Sequence, residues 1–478
     1  MRTCIRLSPQ VQRIQRTSPY TDVFTNAPVT SFRSRENTQH RALTLSHAHP
    51  NPNRWENPGR WGARHSNDIA PFNLWDAENR KYRTPNRNEM QWIRKKFGNG
   101  KIGQMGWFMW IETSNPPSPI PLTLGCMPVI FVGIGACPPE VIPDTHYPNP
   151  RIEDPCPTLT WPKMAFPTKE QNIRLLTALE PFASIRAVLY LPSWTVVELR
   201  YGDGRVYEPE SLPGIVAGRT TLYHHAEGPF YHNMRGQTRA RFIDPAQYMN
   251  NVNPLPQDDS NYLRRLFLTP GCRIESGLSS ADSGYESVNT ATTIGVKLRN
   301  VQGEEVVTAA HHGFLLSNEV HHPKVGEDMI GTVSDTRPEL DIAFVKLTPT
   351  ASASFTNECN FQAEPPRSLK PGDMIEAGSW SEVDGMSSGL VSLMAYGKYF
   401  MTPVRPDGYP EISFEQWKAM SVNAIFGAVN STISEGICGA PIVECDTGGV
   451  TGFFHLSDGT NCLSVHLDDL IAWGWQVV

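Results

Sequence analysis

The sequence predicts a mainly β protein, in which a β-rich C-terminal region follows a small α+β module and a loop-rich or disordered N-terminal region. Three observations predict this class. Short apolar segments recur at regular spacing from about residue 269 onward, one clear helical pattern precedes them between residues 120 and 245, and the first 115 residues show no sustained periodicity. Many short strands separated by Gly, Asp, Asn and Ser turns are typical of a sandwich or a barrel.

Composition narrows the class of function before any motif is considered. The chain has 478 residues, of which 39% are hydrophobic and 19% are charged, enough apolar residues for cores in two or three domains. Its net charge of -6 argues against a nucleic-acid partner for the whole chain. Nine cysteines occur without a CxxC pair, so we expect free thiols in a reducing compartment, no metal and no cofactor.

The start of the chain carries no apolar signal segment, and the longest uncharged apolar stretch, Leu122 to Cys137, is shorter than the ~20 residues of a spanning helix. We therefore expect an intracellular, cytoplasmic protein with no membrane partner. The first 68 residues hold ten arginines, no lysine and four acidic residues, a balance also typical of a mitochondrial transit peptide. Scattered proline and asparagine favour a disordered tail over that alternative.

Composition and pattern divide the chain into four regions. In the second region, Thr168 and Gln171 form a capping box that starts a helix, Pro181 ends it, and β-branched segments at 185–191 and 194–201 predict strands. A stretch rich in Asn, Pro and Asp then predicts a linker. The predicted regions are a loop-rich or disordered segment (1–115), a small α+β module of unassigned role (120–245), a linker (246–265) and the β-rich region (266–478).

Three segments of the β-rich region carry residues that together suit nucleophilic catalysis. VVTAAHHG (306–313) ends in a pair of histidines, LDIAFVKL (340–347) contains Asp341, and EGICGAP (435–441) contains Cys438 near two glycines. Each segment alone has an ordinary explanation, such as a surface histidine, a turn aspartate or a buried thiol. Their order along the chain (base, acid, nucleophile) predicts a catalytic site.

The chemistry requires this combination of groups. A thiol with a pKa of about 8.5 needs an imidazole partner to become a thiolate at neutral pH, and the imidazole needs a carboxylate that fixes its tautomer. The attacked carbonyl becomes an oxyanion, which main-chain N–H groups stabilise. The turn around Gly436 and Cys438 predicts an oxyanion hole from the N–H groups of these two residues, and Gly439 leaves room for a substrate.

The three segments resemble the TAAH, DIAxxKL and GxSGxP signatures of chymotrypsin-like proteases, with Cys438 at the position of the serine. The resemblance covers about residues 270–478 and implies a chymotrypsin-like double β-barrel with the site between the barrels. It also implies a cysteine endopeptidase with protein or peptide substrates. A cysteine nucleophile on this fold is similar to the 3C-like proteases of RNA viruses, and HHGF with GICGAPIV is similar to uncharacterised fungal proteins that carry a trypsin-like domain.

The sequence leaves the general base open between His311 and His312. Alignment on TAAH selects His311, whereas alignment on the His-Gly pair selects His312. Only one of two adjacent strand residues can face the site, and we prefer His311.

Two positions depart from the family pattern. Ile437 stands where secreted members have an aspartate that binds a new N-terminus, so activation by such a cleavage is not expected. The segment GFFHL (452–456) makes Phe454 and His455 candidate substrate-binding residues. His455 lies one residue later than the histidine that recognises Gln or Glu in 3C-like proteases, and a structural role is its alternative.

The sequence contains other candidate residues and is compatible with other functions. Ser434 lacks flanking glycines and is rejected as a nucleophile, and His321 and His322 are interpreted as a solvated loop rather than as metal ligands. A second hypothesis is a catalytically inactive protease-like scaffold that binds protein partners. A third is a hydrolase or acyltransferase for small molecules, because the thiol chemistry would be the same.

Overall fold

The computed structural model describes residues 65–66, 68–76, 81–105, 108–115, 117, 120–121, 123–132, 164–191, 194–200, 212, 215–216, 219–225, 241–243, 267–277, 289–314, 317–359, 361–385, 388–401, 413–428, 433, 436–457 and 461–478. The predicted disorder of residues 1–64, the linker (246–265) and Ser434 lie outside the described residues. None of the helices in the described part of the chain is long and apolar enough to cross a membrane.

The described part of the N-terminal region is folded. Its elements are β1 (His65–Ser66), β2 (Trp75–Asp76), β3 (Lys81–Tyr82), α1 (Arg87–Phe97), β4 (Ile102–Met105), β5 (Phe108–Glu112), β6 (Ile120–Pro121), β7 (Thr123–Leu124) and β8 (Met127–Val132). Helix α1 and strands β3 to β5 therefore depart from the loop-rich or disordered region predicted over residues 1–115. Ile93 and Phe97 of α1 pack with Met109 and Ile111 of β5 in one core cluster. These apolar residues are spread over short separate elements, so no single segment shows a long period.

The predicted α+β module contains the expected helix and strand pair. Its described elements are β9 (Met164–Ala165), α2 (Lys169–Leu179), β10 (Ile185–Tyr190), β11 (Trp194–Leu199), β12 (Ile215–Val216), β13 (Arg219–His225) and β14 (Arg241–Ile243). Thr168 caps α2, and both hydrogen bonds of the capping box with Gln171 are present, which confirms that prediction. Leu175, Leu176 and Leu179 bury one face of α2.

A nine-stranded sheet carries the first half of the β-rich region. Its strands from this region are β15 (Arg273–Ser276), β16 (Asn289–Thr293), β17 (Lys297–Arg299), β18 (Glu305–Ala310), β19 (Glu319–His322), β20 (Asp328–Arg337) and β21 (Ile342–Leu347). The order is β14-β16-β15-β19-β20-β21-β18-β17, and a C-terminal strand, β31 (Gln476–Val477), completes the edge. The short helix α3 (Pro349–Ser354) follows β21.

A twelve-stranded sheet carries the second half. Its strands are β22 (Ser368–Leu369), β24 (Trp380–Gly385), β25 (Gly389–Met401), β26 (Lys418–Ala428), β27 (Pro441–Glu444), β28 (Gly449–Phe453), β29 (Leu456–Ser457), β30 (Asn461–Val465) and β10 to β13. The remaining elements are β23 (Glu376–Ala377), which pairs with β9, and helix α4 (Asp468–Ala472). These strands confirm the prediction of a mainly β protein, because nearly every predicted β segment forms a strand.

The α+β module and the β-rich region share one sheet. Strand β10 runs antiparallel to β25, so that Ala187 pairs with Met401 and Tyr190 with Lys398. The core between the two large sheets also includes Leu189 of the module. Burying such an aliphatic side chain fully contributes about 1.5–3 kcal/mol, so the shared core stabilises both parts together.

Candidate active site

Two turns at one end of the nine-stranded sheet bring a histidine and an aspartate together. Strands β18 and β21 are antiparallel neighbours, and Ala310 pairs with Ile342. The residues just after Ala310 and just before Ile342 therefore lie side by side. His312 Nδ1 lies 2.6 Å from Asp341 Oδ2, and the main-chain N–H of His312 donates to Asp341 Oδ1 at 3.0 Å.

The structure places His312, and not His311, against the aspartate. Alignment on TAAH favoured His311, and the alternation argument treated both histidines as strand residues, but the chain turns after Ala310 into a 3₁₀ helix (His311–Gly313). The main chain of His311 still extends the ladder, since its N–H donates to Asp341 O at 3.0 Å. Among the described residues, His311 Nδ1 is buried without a hydrogen-bond partner, so its ring does not join the pair.

Asp341 occupies a conformation that few residues adopt. It follows a one-turn 3₁₀ helix (Pro338–Leu340) and has φ +53°, in the left-handed region. Aspartate tolerates this region better than most residues other than glycine, and such strain occurs often at functional sites. The carboxylate is largely buried, with 10% of its side chain exposed.

Hydrogen bonds, rather than burial, set the charges of this pair. Burial alone would lower the pKa of His312, but the hydrogen bond to Asp341 and the nearby sulfur of Cys438 outweigh it and raise the pKa to about 10. Burial would likewise raise the pKa of Asp341, but hydrogen bonds to His312 and His455 hold it well below its ordinary value. The carboxylate is thus ionised, and it favours an imidazolium at position 312.

The turn that carries Cys438 is attached to the nine-stranded sheet by Thr293, at the end of β16. Thr293 Oγ1 donates to Gly436 O at 2.8 Å, and the main-chain N–H of Thr293 donates to Cys438 O at 3.1 Å. Gly436 and Gly439 have φ of +101° and +91°, which side chains with a Cβ rarely adopt. The turn therefore needs glycine on both sides of the cysteine, as the motif predicts.

The thiol of Cys438 is covered. The residue has no exposed surface, and Sγ lies 3.4 Å from the main-chain oxygen of His455. His312 is close enough for the sulfur to raise the pKa of its imidazole, yet within the described residues His312 Nε2 has no partner of hydrogen-bond geometry. Catalytic hydrogen bonds are often poorly aligned in the absence of substrate.

The two predicted substrate-binding residues point in different directions. Phe454 packs in a core cluster with Ile437 and is 1% exposed, so its ring presents no open surface. His455 lies between β28 and β29, and its Nδ1 lies 2.8 Å from Asp341 Oδ2. Ile437 is fully buried in the same cluster as Phe454, which leaves an apolar environment beside the nucleophile.

The side chains of His312, Asp341 and His455 are also near enough to be examined as a metal site, since their ligand atoms lie within 4.8 Å of one another. Zinc–nitrogen bonds of about 2.0–2.1 Å place tetrahedral ligand atoms about 3.3 Å apart. Both histidine nitrogens lie closer than this to Asp341 Oδ2, at 2.6 and 2.8 Å. These are hydrogen-bond distances, so we interpret the cluster as a hydrogen-bonded one.

The histidine pair at 321 and 322 belongs to a strand and not to the solvated loop that the sequence predicted. Both residues lie on β19 and are buried, at 8% and 7% exposure. His322 Nδ1 lies 2.6 Å from Arg273 O, and His321 Nε2 lies 3.4 Å from Glu319 Oε2.

The sequence did not indicate two contacts of the site. Thr293 carried no motif, although its hydroxyl holds the nucleophile turn. His455 was noted, but its contact with Asp341 joins residues 114 positions apart, and no local pattern signals it.

No protein-family model matches the chain, and no curated protein is found to be similar. Solved structures similar to part of it include a Nocardiopsis protease, the Cellulomonas bogoriensis chymotrypsin and tobacco etch virus protease in complex with product. The first is 14% identical over 44% of this chain and 97% of that chain, with a TM-score of 0.27. The second is 14% identical over 39% and 90%, with a TM-score of 0.24, and the third is 13% identical over 41% and 72%, with a TM-score of 0.21. At these values the likeness says nothing about the activity of this chain.

Proposed function

We propose that the protein is a cysteine endopeptidase that cleaves peptide bonds in protein or peptide substrates. One observation carries the proposal: Asp341 holds His312 at 2.6 Å, beside the turn in which Cys438 lies between two glycines of positive φ. Each group has the chemical role that acyl transfer to sulfur requires.

The proposed reaction uses His312 as base and then as acid. Its Nε2 takes the thiol proton of Cys438, and the sulfur attacks the carbonyl carbon of the substrate. The resulting oxyanion is stabilised by the main-chain N–H groups of Gly436 and Cys438. His312 then gives its proton to the departing amine, which leaves a thioester that water hydrolyses with the same histidine as base.

The burial of the Cys438 thiol places a requirement on substrate access. With no exposed surface on Cys438, a peptide carbonyl reaches the sulfur only after the surroundings of the turn move. We therefore propose that the described conformation is a closed form of the enzyme.

Replacement of the nucleophile tests the proposal. The Cys438→Ala variant should lose all cleavage in a peptide-library screen of the full chain, because alanine offers no sulfur. Cys462→Ala is the matched control, since that thiol is also fully buried and packs in the same cluster as Ile437. Cleavage that survives in Cys438→Ala would refute the assignment.

The second candidate function is an inactive scaffold that binds protein partners, and the full burial of Cys438 favours it. Alkylation separates the two. Cys438 and Cys462 are equally buried, so an activated Cys438 should react faster with iodoacetamide, and His312→Gln should remove the difference. Equal rates in the wild-type chain would favour the scaffold.

A further inference from the structure

His455 shares the carboxylate oxygen that orients His312. Its Nδ1 lies 2.8 Å from Asp341 Oδ2, while His312 Nδ1 lies 2.6 Å from the same atom. A carboxylate whose pKa is held well below its ordinary value can only accept hydrogen bonds, so both ring nitrogens donate. The third bond, from the main-chain N–H of His312 to Oδ1, leaves Asp341 with three donors.

The location of His455 indicates that its contact with Asp341 is not a by-product of core packing. Strand β28 ends at Phe453, and the ring of Phe454 enters the core. The ring of His455, the next residue, contacts the aspartate instead. Its side chain is 22% exposed, which is unlike that of an apolar core residue.

The same residue also contacts the nucleophile. The main-chain oxygen of His455 lies 3.4 Å from Cys438 Sγ. The main-chain N–H of Gly439 donates to the oxygen of Phe454, the residue before it, at 3.1 Å. The segment 454–455 thus joins the carboxylate at one side to the cysteine turn at the other.

We propose that His455 is a positioning residue for the catalytic carboxylate, and this inference rests on the peptidase function proposed above. Its Nδ1–H keeps Oδ2 of Asp341 turned toward His312, so that His312 keeps its proton on Nδ1 while Nε2 exchanges a proton with Cys438. The donor of His455 is present whether His312 is neutral or charged, so the carboxylate does not rotate during proton transfer.

Two variants separate the donor from the shape of the ring. His455→Phe keeps a flat ring and removes the donor, whereas His455→Asn places an amide N–H where Nδ1 stands. The readout is the Nδ1 proton resonance of His312 in full-length chain labelled with ¹⁵N-histidine, together with kcat/KM on a cleaved peptide. His312→Gln and His455→Phe assign the two resonances among the 14 histidines.

We expect His455→Phe to weaken the His312 resonance by faster exchange and to lower kcat/KM about tenfold to hundredfold. His455→Asn should restore both. Unchanged resonance and kcat/KM in His455→Phe would overturn the positioning role and leave the peptidase function intact. Equal losses in His455→Phe and His455→Asn would also overturn it, because the donor would then not be what matters. Absence of cleavage by the wild-type chain, with the resonance behaving as expected, would instead refute the peptidase function alone.

Discussion

Gly439 approaches the main-chain nitrogen of Ala310 so closely that a Cβ on the glycine would lie 2.8 Å from it. The same Cβ would lie 2.5 Å from the oxygen of Thr293. The turn that carries the thiol thus packs directly on the main chain that leads into the two histidines, with no side chain between them.

Gly439→Ala should therefore destabilise the fold. The substitution combines a left-handed backbone with a collision against main-chain atoms, and we expect it to lower the free energy of unfolding by about 2–5 kcal/mol. Gly303→Ala is the matched control, because Gly303 has φ +83° and open space around the added carbon. It should cost about 1–2 kcal/mol in urea denaturation. Equal costs for the two variants would contradict the close packing.

The two adjacent histidines should differ in their effect on activity. His312→Ala should lower kcat/KM by about 10²–10⁴-fold, because the general base and its bond to Asp341 are lost. His311→Ala keeps the main-chain bond to Asp341 O and should change kcat/KM only slightly. Peptide cleavage by both variants measures this, and the opposite ranking would restore His311 as the base.

Asp341 offers a variant that keeps the backbone and removes the charge. Asparagine accepts the left-handed conformation at φ +53°, so Asp341→Asn should fold without added backbone strain and lose only the charged bonds of the carboxylate. Its kcat should fall by about 10²–10⁴-fold, because the amide cannot accept from both imidazoles as a carboxylate does. Asp341→Ala should in addition lose about 1–2 kcal/mol through the backbone conformation. An active Asp341→Asn enzyme would remove Asp341 from the mechanism.

The charge of His312 should make stability depend on pH. Burial lowers the pKa of His312, but the bond to Asp341 and the nearby sulfur of Cys438 raise it overall, from 6.5 to about 10. The folded state binds this proton more tightly, so the contribution is fully present below pH 6.5 and is lost as the pH rises toward 10. In urea denaturation, the advantage of wild type over His312→Gln should shrink between about pH 6 and pH 9.

His466 provides the opposite case. Burial, with a smaller effect of Lys398, lowers the pKa of His466 well below 6.5. Its neutral form is favoured in the fold, so stability is present above pH 6.5 and is lost as the pH falls below it. The difference between wild type and His466→Gln should accordingly shrink toward acid. For the first histidine, a free energy of unfolding of His312→Gln that changes with pH in parallel with that of the wild type would contradict the charged pair of His312 and Asp341.

Local pattern predicted much of the β-rich region and the three segments of the site. The apolar run of DIAFVKL and the capping box at Thr168 are encoded within a few residues, and both elements formed. No local pattern indicates which of His311 and His312 pairs with Asp341. It depends on the chain leaving the strand at Ala310, which is set by the fit of the turn against Asp341 and β16.

Contacts between segments far apart in the chain could not be predicted either. The bond from His455 to Asp341, the hold of Thr293 on Gly436, and the burial of Cys438 all arise from packing between segments far apart in the chain. Nothing in the composition of residues 120–245 indicated that β10 continues the sheet of the β-rich region.

That continuation has a practical consequence for anyone who would express the β-rich region alone. A fragment beginning at residue 266 would lack Ala187 to Tyr190 and would leave residues 398–401 of β25 with a bare row of N–H and C=O groups on one side. Its exposed rim would also carry Tyr399 and Met401, which are 3% exposed in the full chain. Unpaired strand edges pair with other chains, so such a fragment would aggregate.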